Sequence, residues 1–458
     1  MLLRNYQAQL VSDVRQQIKT GATRILVQLS CGGGKTAIAS YILKNTIANG
    51  YAAIAMTHRF ELCSQFSKTL TRFNVPHGMI QSGVKMDLSL PMQVASIGTL
   101  KNRLEKTVIP KILVVDEAAH IAAKSWSEIA DYYHSRGTIV IGLTACPTRL
   151  SGESLSDCFD VMVQGPTVKE LTDMKFLCGY KYLAPPQVME LDGISTVCGD
   201  YAKGELFQVV AKSQITGDAI QHYKTFLSGK RAIAFCVSIE HAKMVAMQFR
   251  EAGVPAEAVD GGTNKNDRAA AMKRFERGET LVLVNCELYG EGVDVPSCEG
   301  VIMLRPTQSL SLFIQMSGRA LRPDPNNPDK VSVILDHCGN VYRHDLPSAD
   351  RIWDLGAEKP KRKKSDPSTV SIKCCPMCYS VMRPMPVCEM CGFVFPVEVR
   401  ELRQTPGELA EVTKIEKKAK RCEVGQCRTI AELKAIAKER GYKSGWIWQM
   451  AKAKGIKA

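Results

Sequence analysis

Three stretches of this chain carry residue types whose spacing could do chemistry. The first, RILVQLSCGGGKTAIASYIL (residues 24–43), reads as strand, glycine-rich turn and helix. Gly32, Gly33 and Gly34 let backbone N–H groups point into a shared hollow that can hold phosphate oxygens. Lys35 would reach the β and γ phosphates of a nucleotide, and the Thr36 hydroxyl would bind Mg²⁺. The helix that follows aims its positive end at the same anion. The strict pattern G-x-x-x-x-G-K-[ST] fails at its first glycine, where Leu29 stands. A glycine-rich turn with no nucleotide is the competing reading, and the strand before it and the helix after it weigh against that.

The second stretch is KILVVDEAAHIAAKSW, residues 111–126, where an apolar run ends in Asp116 and Glu117. At the end of a later strand of a parallel sheet, two acids face a ligand held by the first loop. Asp116 can hold Mg²⁺ through water, and Glu117 can position and deprotonate an attacking water. The third stretch, CCPMCYSVMRPMPVCEMCGF (374–393), holds Cys375-x-x-Cys378 and Cys388-x-x-Cys391. Two such pairs supply four thiolates for tetrahedral Zn²⁺. So short a segment has no core and would fold by binding the metal. Cys374 is an alternative to Cys375, although the C-P-x-C form favours the latter, and an iron–sulfur cluster is an alternative to zinc. A closed four-thiolate site has no open position for catalysis. Cys422 and Cys427 read as plain thiols.

Positioning these groups requires parallel sheets. Residues 24–29, 52–57, 92–97, 111–116 and 138–144 are short apolar runs separated by segments of helical length, the rhythm of βαβ units. A second set follows at 232–237, 256–261, 280–285, 300–305 and 331–336. The expected fold class is therefore α/β, with two parallel-sheet domains in tandem, at 1–165 and 226–350. Residues 166–225 connect them. A basic linker (351–371), a zinc-binding module (372–397) and a basic helical tail (398–458) complete the chain. In the tail, residues 429–455 read as two helices joined at a Gly-Tyr turn. Its basic groups suit contact with phosphates, while Trp446 and Trp448 either staple the helices or stack on bases.

Bulk properties narrow the partners. The 458 residues are 45% apolar and 23% charged, ordinary for a globular protein of about three domains. No apolar run approaches the roughly 18 residues of a membrane span, and the polar N-terminus carries no secretory signal. Seventeen cysteines without such a signal point to reduced thiols in a cytoplasm. The net charge of +14 favours a polyanion, nucleic acid above all, without deciding it.

Motifs from residue 4 to residue 322 together resemble those of a superfamily 2 helicase of the DEAH-like kind, which implies RecA-like domains. LRNYQ (3–7) looks like the segment in which Gln7, with Arg4 nearby, reads adenine. SCGGGKT matches a phosphate loop that commonly lacks its first glycine. THRFELCSQ (57–65) and SIGTL (96–100) look like strand-contacting motifs, and GLTACPTR (142–149) like the motif coupling hydrolysis to movement. ELYGEGVDVP (287–296) and QMSGRALRP (315–323) match the last two motifs. RadD-type bacterial helicases and their phage relatives are the most similar group.

The resemblance implies ATP as the cofactor. Arg319 and Arg322, one helical turn apart, would act as arginine fingers on cleft closure, with Gln315 on the same face. Asp294 would read the nucleotide or link it to the strand-binding surface. Where the family has Asp-Glu-Ala-His, this chain has Ala119, with His120 one place later, and Cys146 replaces a threonine of the coupling motif. Hydrolysis is expected to survive and its coupling to be altered. The leading expectation is an ATP-dependent DNA helicase or translocase in repair, recombination or phage replication. It would act on single-stranded or forked DNA in a bacterial or phage-infected cytoplasm, with no membrane partner. An RNA helicase, a nucleic-acid-binding scaffold with weak or uncoupled ATPase, and a restriction-type motor subunit are the alternatives.

Overall fold

The computed structural model describes residues 2–58, 60–120, 123–148, 155–185, 194–197, 200–202, 205–206, 215–286, 298–356, 372–395, 427–442, 444–454 and 456. In chain order its strands are β1 (Arg24–Gln28), β2 (Ala53–Thr57), β3 (Gly78–Ile80), β4 (Met92–Ser96), β5 (Ile112–Asp116), β6 (Ile139–Thr144) and β7 (Val161–Gln164). Next come β8 (Gly179–Leu183), the short pair β9 (Thr196–Val197) and β10 (Asp200–Tyr201), then β11 (Ala232–Phe235), β12 (Ala256–Val259) and β13 (Val282–Asn285). The last are β14 (Gly300–Met303), β15 (Val331–Asp336), β16 (Lys373–Cys374) and β17 (Val381–Met382).

Two all-parallel sheets carry the fold, in the orders β3-β4-β2-β5-β6-β1-β7 and β12-β13-β11-β14-β15-β8. Their central strands are largely apolar because both faces are buried. Along β1, Ile25 and Val27 face one core and Leu26 the other. Along β11, Ile233 and Phe235 face one core while Ala232 and Ala234 face its opposite. Each of the ten strands expected from sequence is present, and each sheet is α/β.

Three strands of the two large sheets, and the short pairs β9–β10 and β16–β17, escaped the sequence reading. β3 is a three-residue run beginning in glycine, and β7 and β8 are edge strands with mixed burial. A strand buried on part of its length shows neither a continuous apolar run nor clean alternation. β8 changes the domain picture. It lies inside the expected connector 166–225 yet pairs with β15, and the helix Ile215–Phe226 supplies Ala219 and Tyr223 to the second domain's core.

The cysteine-rich segment covers the open side of β8. The Ala184 amide donates to the Tyr379 carbonyl at 3.1 Å, and Leu183 bridges Ser380 in antiparallel sense. This closes an edge that would otherwise expose unpaired backbone groups.

Residues 397–458 form a separate compact unit. In it the helix Ile430–Glu439 begins with a capping box, Thr429 accepting the Glu432 amide, and the helix Ser444–Lys454 follows. Leu433, Ala451 and Cys427 form a small core against which Trp446 packs, its ring tilted against Tyr442 at a centroid distance of 4.7 Å, whereas Trp448 stays exposed. Trp446 thus behaves as a staple and Trp448 does not. Asp294, most of the basic linker and Cys422 lie outside the described residues. Among the described residues no helix is long and apolar enough to cross a membrane.

Candidate nucleotide and metal sites

β1 runs into the glycine loop, and the helix Lys35–Ala48 starts directly after it. Gly34 caps that helix at φ +85°, a left-handed conformation that a side chain disfavours. Leu29, where the strict motif has glycine, is fully buried beneath the loop. A Cβ on Gly33 would lie 2.7 Å from its Cγ, so the leucine is accommodated by the glycine four residues on. From the other side, the Gly33 carbonyl accepts the Tyr6 hydroxyl at 2.7 Å and Gln7 Nε2 at 3.1 Å. Gln7 is buried and spends its oxygen on the Arg4 amide. Its side chain braces the loop, and the Arg4 guanidinium lies 4.2 Å above the Phe176 ring, both lining the cleft.

Asp116 ends β5, two strands away from β1 in the sheet. Glu117 follows at φ +51°, a conformation that costs a non-glycine residue about 1–2 kcal/mol and turns the chain sharply at the strand end. Burial first, and Glu117 second, push the Asp116 carboxyl up to about 7. Burial alone would lower the Lys35 ammonium, but Cys31, Glu117 and Asp116 outweigh it, so its pKa lies above the ordinary value. A cationic Lys35 beside two acids is a site poised for a cation and a polyanion together.

The Asp116 shift has a measurable consequence without nucleotide or Mg²⁺. Its folded pKa is raised, so the stability gained from protonation is complete below the ordinary value of 3.8 and is lost as pH rises through about 7. Asp116→Asn removes that loss. The variant should melt level with the wild type at pH 4 and clearly above it at pH 8, a difference on the order of 4 kcal/mol. Calorimetry of the nucleotide-free protein reads this, and equal melting at pH 8 would count against the burial argument.

The second domain closes over this loop. A cleft of about 330 Å³ is lined by Arg4, Gly32, Gly34, Lys35, Thr36, Asp116 and Glu117 from one side and by Gln315, Gly318, Arg319 and Arg322 from the other. The approach is close: a Cβ on Gly318 would stand 2.5 Å from Cys31 Cβ, and one on Gly32 would stand 3.8 Å from Arg322 Cγ. The helix Leu310–Gly318 ends before the arginines, so the expectation that Arg319 and Arg322 share a helical face is corrected. Arg319 caps the helix and Arg322 lies beyond it, because Pro323 disfavours helical backbone at the preceding residue. Both still reach the cleft. Phe176, Tyr6, Cys31 and Gly318 were not singled out in sequence. Tyr6, Cys31 and Gly318 lie inside quoted motifs, whereas Phe176 lies outside all of them and gains its place only when the domains meet.

Comparison with known proteins fits this geometry. Residues 1–149 match the family "Type III restriction enzyme, res subunit" and residues 216–324 the family "Helicase conserved C-terminal domain". A 51.5 kDa protein of a Lactococcus phage is 32% identical over 81% of this chain and 78% of its own length. The chain belongs to the superfamily 2 helicases. IRC3 of Saccharomyces cerevisiae, described as an ATP-dependent helicase, is 30% identical over 74% of this helicase and 50% of its own length. The helicase thus spans about half of that relative. In fold it is similar to an HsdR subunit fragment of a type I restriction enzyme from Vibrio vulnificus YJ016, with a TM-score of 0.58 at 21% identity. That likeness covers 75% of this helicase and 66% of the fragment. Family membership makes it a nucleic-acid-dependent ATPase.

In this helicase the segment that follows β6 is buried against the second domain. Ala145 and Cys146 follow β6 of the first sheet but pack into a core of the second domain with Leu177, Met316 and Ala320. Cys146 Sγ lies 3.1 Å from Thr148 Oγ1, and burial pushes its thiol up to about 11, so it stands there as a neutral group. The Thr144 hydroxyl donates to the Cys146 carbonyl at 2.9 Å, holding the turn. Ala119 lies in a short 3-10 turn, Ala118–His120, directly after the acids.

The four expected cysteines converge. Cys375 Sγ is 3.5 Å from Cys391 Sγ, Cys378 Sγ is 3.6 Å from Cys388 Sγ, and all four sulfurs lie within 4.8 Å of one another. Zn–S bonds of about 2.3 Å place tetrahedral sulfurs about 3.8 Å apart, so the set fits one ion and leaves no room for a multi-iron cluster. Cys374 points away, its thiol donating to the Ala184 carbonyl at 3.4 Å, which decides between it and Cys375.

Proposed function

We propose that this helicase hydrolyses ATP in the cleft between its two sheets to move along or unwind DNA. The observation that carries the proposal is the assembly of Lys35, Thr36, Asp116 and Glu117 from one domain with Gln315, Arg319 and Arg322 from the other around a single cleft. Phosphoryl transfer needs positioning and charge cancellation more than covalent chemistry, and this arrangement offers both. The loop amides and Lys35 hold the phosphates, while Thr36 and Asp116 are the residues that would hold Mg²⁺. That ion would neutralise charge between the phosphates. Glu117 takes the proton of the attacking water, and Arg319 and Arg322 face the γ phosphate from across the cleft. Arg4 and Phe176 hold the base, and Gln7 ties that contact to the loop. Hydrolysis and release then loosen the domain contact.

DNA is favoured over RNA by the match of residues 1–149 to a restriction-enzyme subunit family. The four-thiolate site takes Zn²⁺ as a structural ion. The deciding experiment is ATP hydrolysis by the full chain, alone and with single-stranded DNA, duplex DNA or RNA, with Lys35→Ala as the inactive control. Stimulation by DNA that vanishes in the control supports the proposal. Stimulation by RNA alone moves the substrate to RNA, and DNA binding without hydrolysis returns the scaffold reading.

A further inference from the structure

Residues 345–356 leave the second domain and come back to the first. The chain turns at Asp345, at φ +63°, with the Leu346 amide donating to its carboxylate at 2.6 Å. Ser348 is tied to the second domain through the Tyr180 hydroxyl, 2.6 Å from its own. Five residues on, the Trp353 carbonyl accepts Gln164 Nε2 at 3.0 Å, at the last residue of β7 in the first sheet. Leu355 then packs against the first-domain core cluster that includes Leu26, Leu113 and Phe159.

Arg351 stands between these anchors. Its guanidinium donates to the carbonyls of His344 and Leu346 at 2.9 Å, Ala349 at 3.1 Å and Pro347 at 3.3 Å, so one planar fork sets the shape of the whole turn. The two motor domains are therefore joined twice, once through residues 165–178 and once through this strap. The second joint is anchored at Gln164, whose register partner on β1, Gln28, pairs on its other side with Thr144. A rotation of one domain on the other must move both joints together.

We propose that segment 345–356 is the linkage through which hydrolysis and domain movement are coupled in this helicase, with Arg351 as its positioning residue. It would supply mechanically what Ala119 and Cys146 leave out of the direct path. The proposal rests on reading the cleft as the ATPase site.

Arg351→Ala and the exposed-site variant Gln164→Ala test it in the full zinc-bound chain. Two readouts are needed: ATP turnover with and without single-stranded DNA, and amide hydrogen exchange over residues 144–148 and 161–164. Basal turnover should stay within about twofold of wild type, while stimulation by DNA falls about tenfold, the size of a typical coupling energy. Exchange over 144–148 should rise in both variants. Arg351→Lys keeps the charge but loses the fork, and should not restore stimulation. Unchanged stimulation with unchanged exchange overturns the proposal. So does a parallel fall of basal turnover and melting temperature in both variants, which would mark a merely structural strap. If wild-type hydrolysis ignores DNA, the substrate reading has failed instead, and the exchange measurement still decides whether the strap rests on the coupling segment.

Discussion

Arg319→Ala should lower the rate of ATP hydrolysis by about a thousandfold while changing ATP affinity little. Arg319 approaches the cleft from the second domain, at the end of the helix Leu310–Gly318, and is almost wholly buried there. On the proposed reading the loop amides and Lys35 of the first domain already hold the ground-state phosphates. A guanidinium from the opposite side meets the charge that grows on the transferred phosphoryl group, so its loss appears in kcat more than in KM. Lys35→Ala, in contrast, should weaken binding and turnover together. Steady-state kinetics combined with equilibrium titration of a fluorescent ATP analogue separates the two patterns. A drop of less than tenfold for Arg319→Ala, with Arg322→Ala taking the large effect, would reassign the finger to the later arginine.

Removing the metal should unfold the segment 372–395 while sparing the nucleotide cleft. The segment's core among the described residues is Cys375, Cys388 and Phe395, with Cys378, Met382 and Phe393 at its margin. That is far too little apolar area to fix a chain of this length, whereas a structural zinc site supplies about 10–16 kcal/mol of binding energy. Elemental analysis should find one zinc per chain, and thiol titration should find four cysteines that react only after chelation. Cys375→Ser with Cys391→Ser should reproduce the chelated state. The loss uncovers β8, since the Ala184–Tyr379 and Leu183–Ser380 pairings go with it. Aggregation should therefore rise even though basal ATP hydrolysis persists. Full thiol reactivity before chelation would argue that the four sulfurs hold no metal.

By itself the sequence determined the elements whose residues are fixed by local physics. Ten buried parallel strands stood out because burial on both faces demands unbroken apolar runs. The phosphate loop was legible because only glycines at 32–34 and a following helix give that backbone, and the metal site because two C-x-x-C turns have one common use. The substitutions at Leu29, Ala119 and Cys146 were equally visible. What they do was not, since that depends on neighbours distant in sequence. Tertiary structure decided that Gly33 makes room for Leu29 and that Cys146 is buried in the opposite domain. It also placed Arg319 and Arg322 past the end of their helix, and Gln7 under the loop. β8 joined the second sheet only because β15 offers it a pairing edge, and residues 345–356 became a strap only because Gln164 and a first-domain core receive them. Sequence periodicity records which face of an element is buried. It carries no record of what buries it, and in a two-domain cleft that partner decides the chemistry.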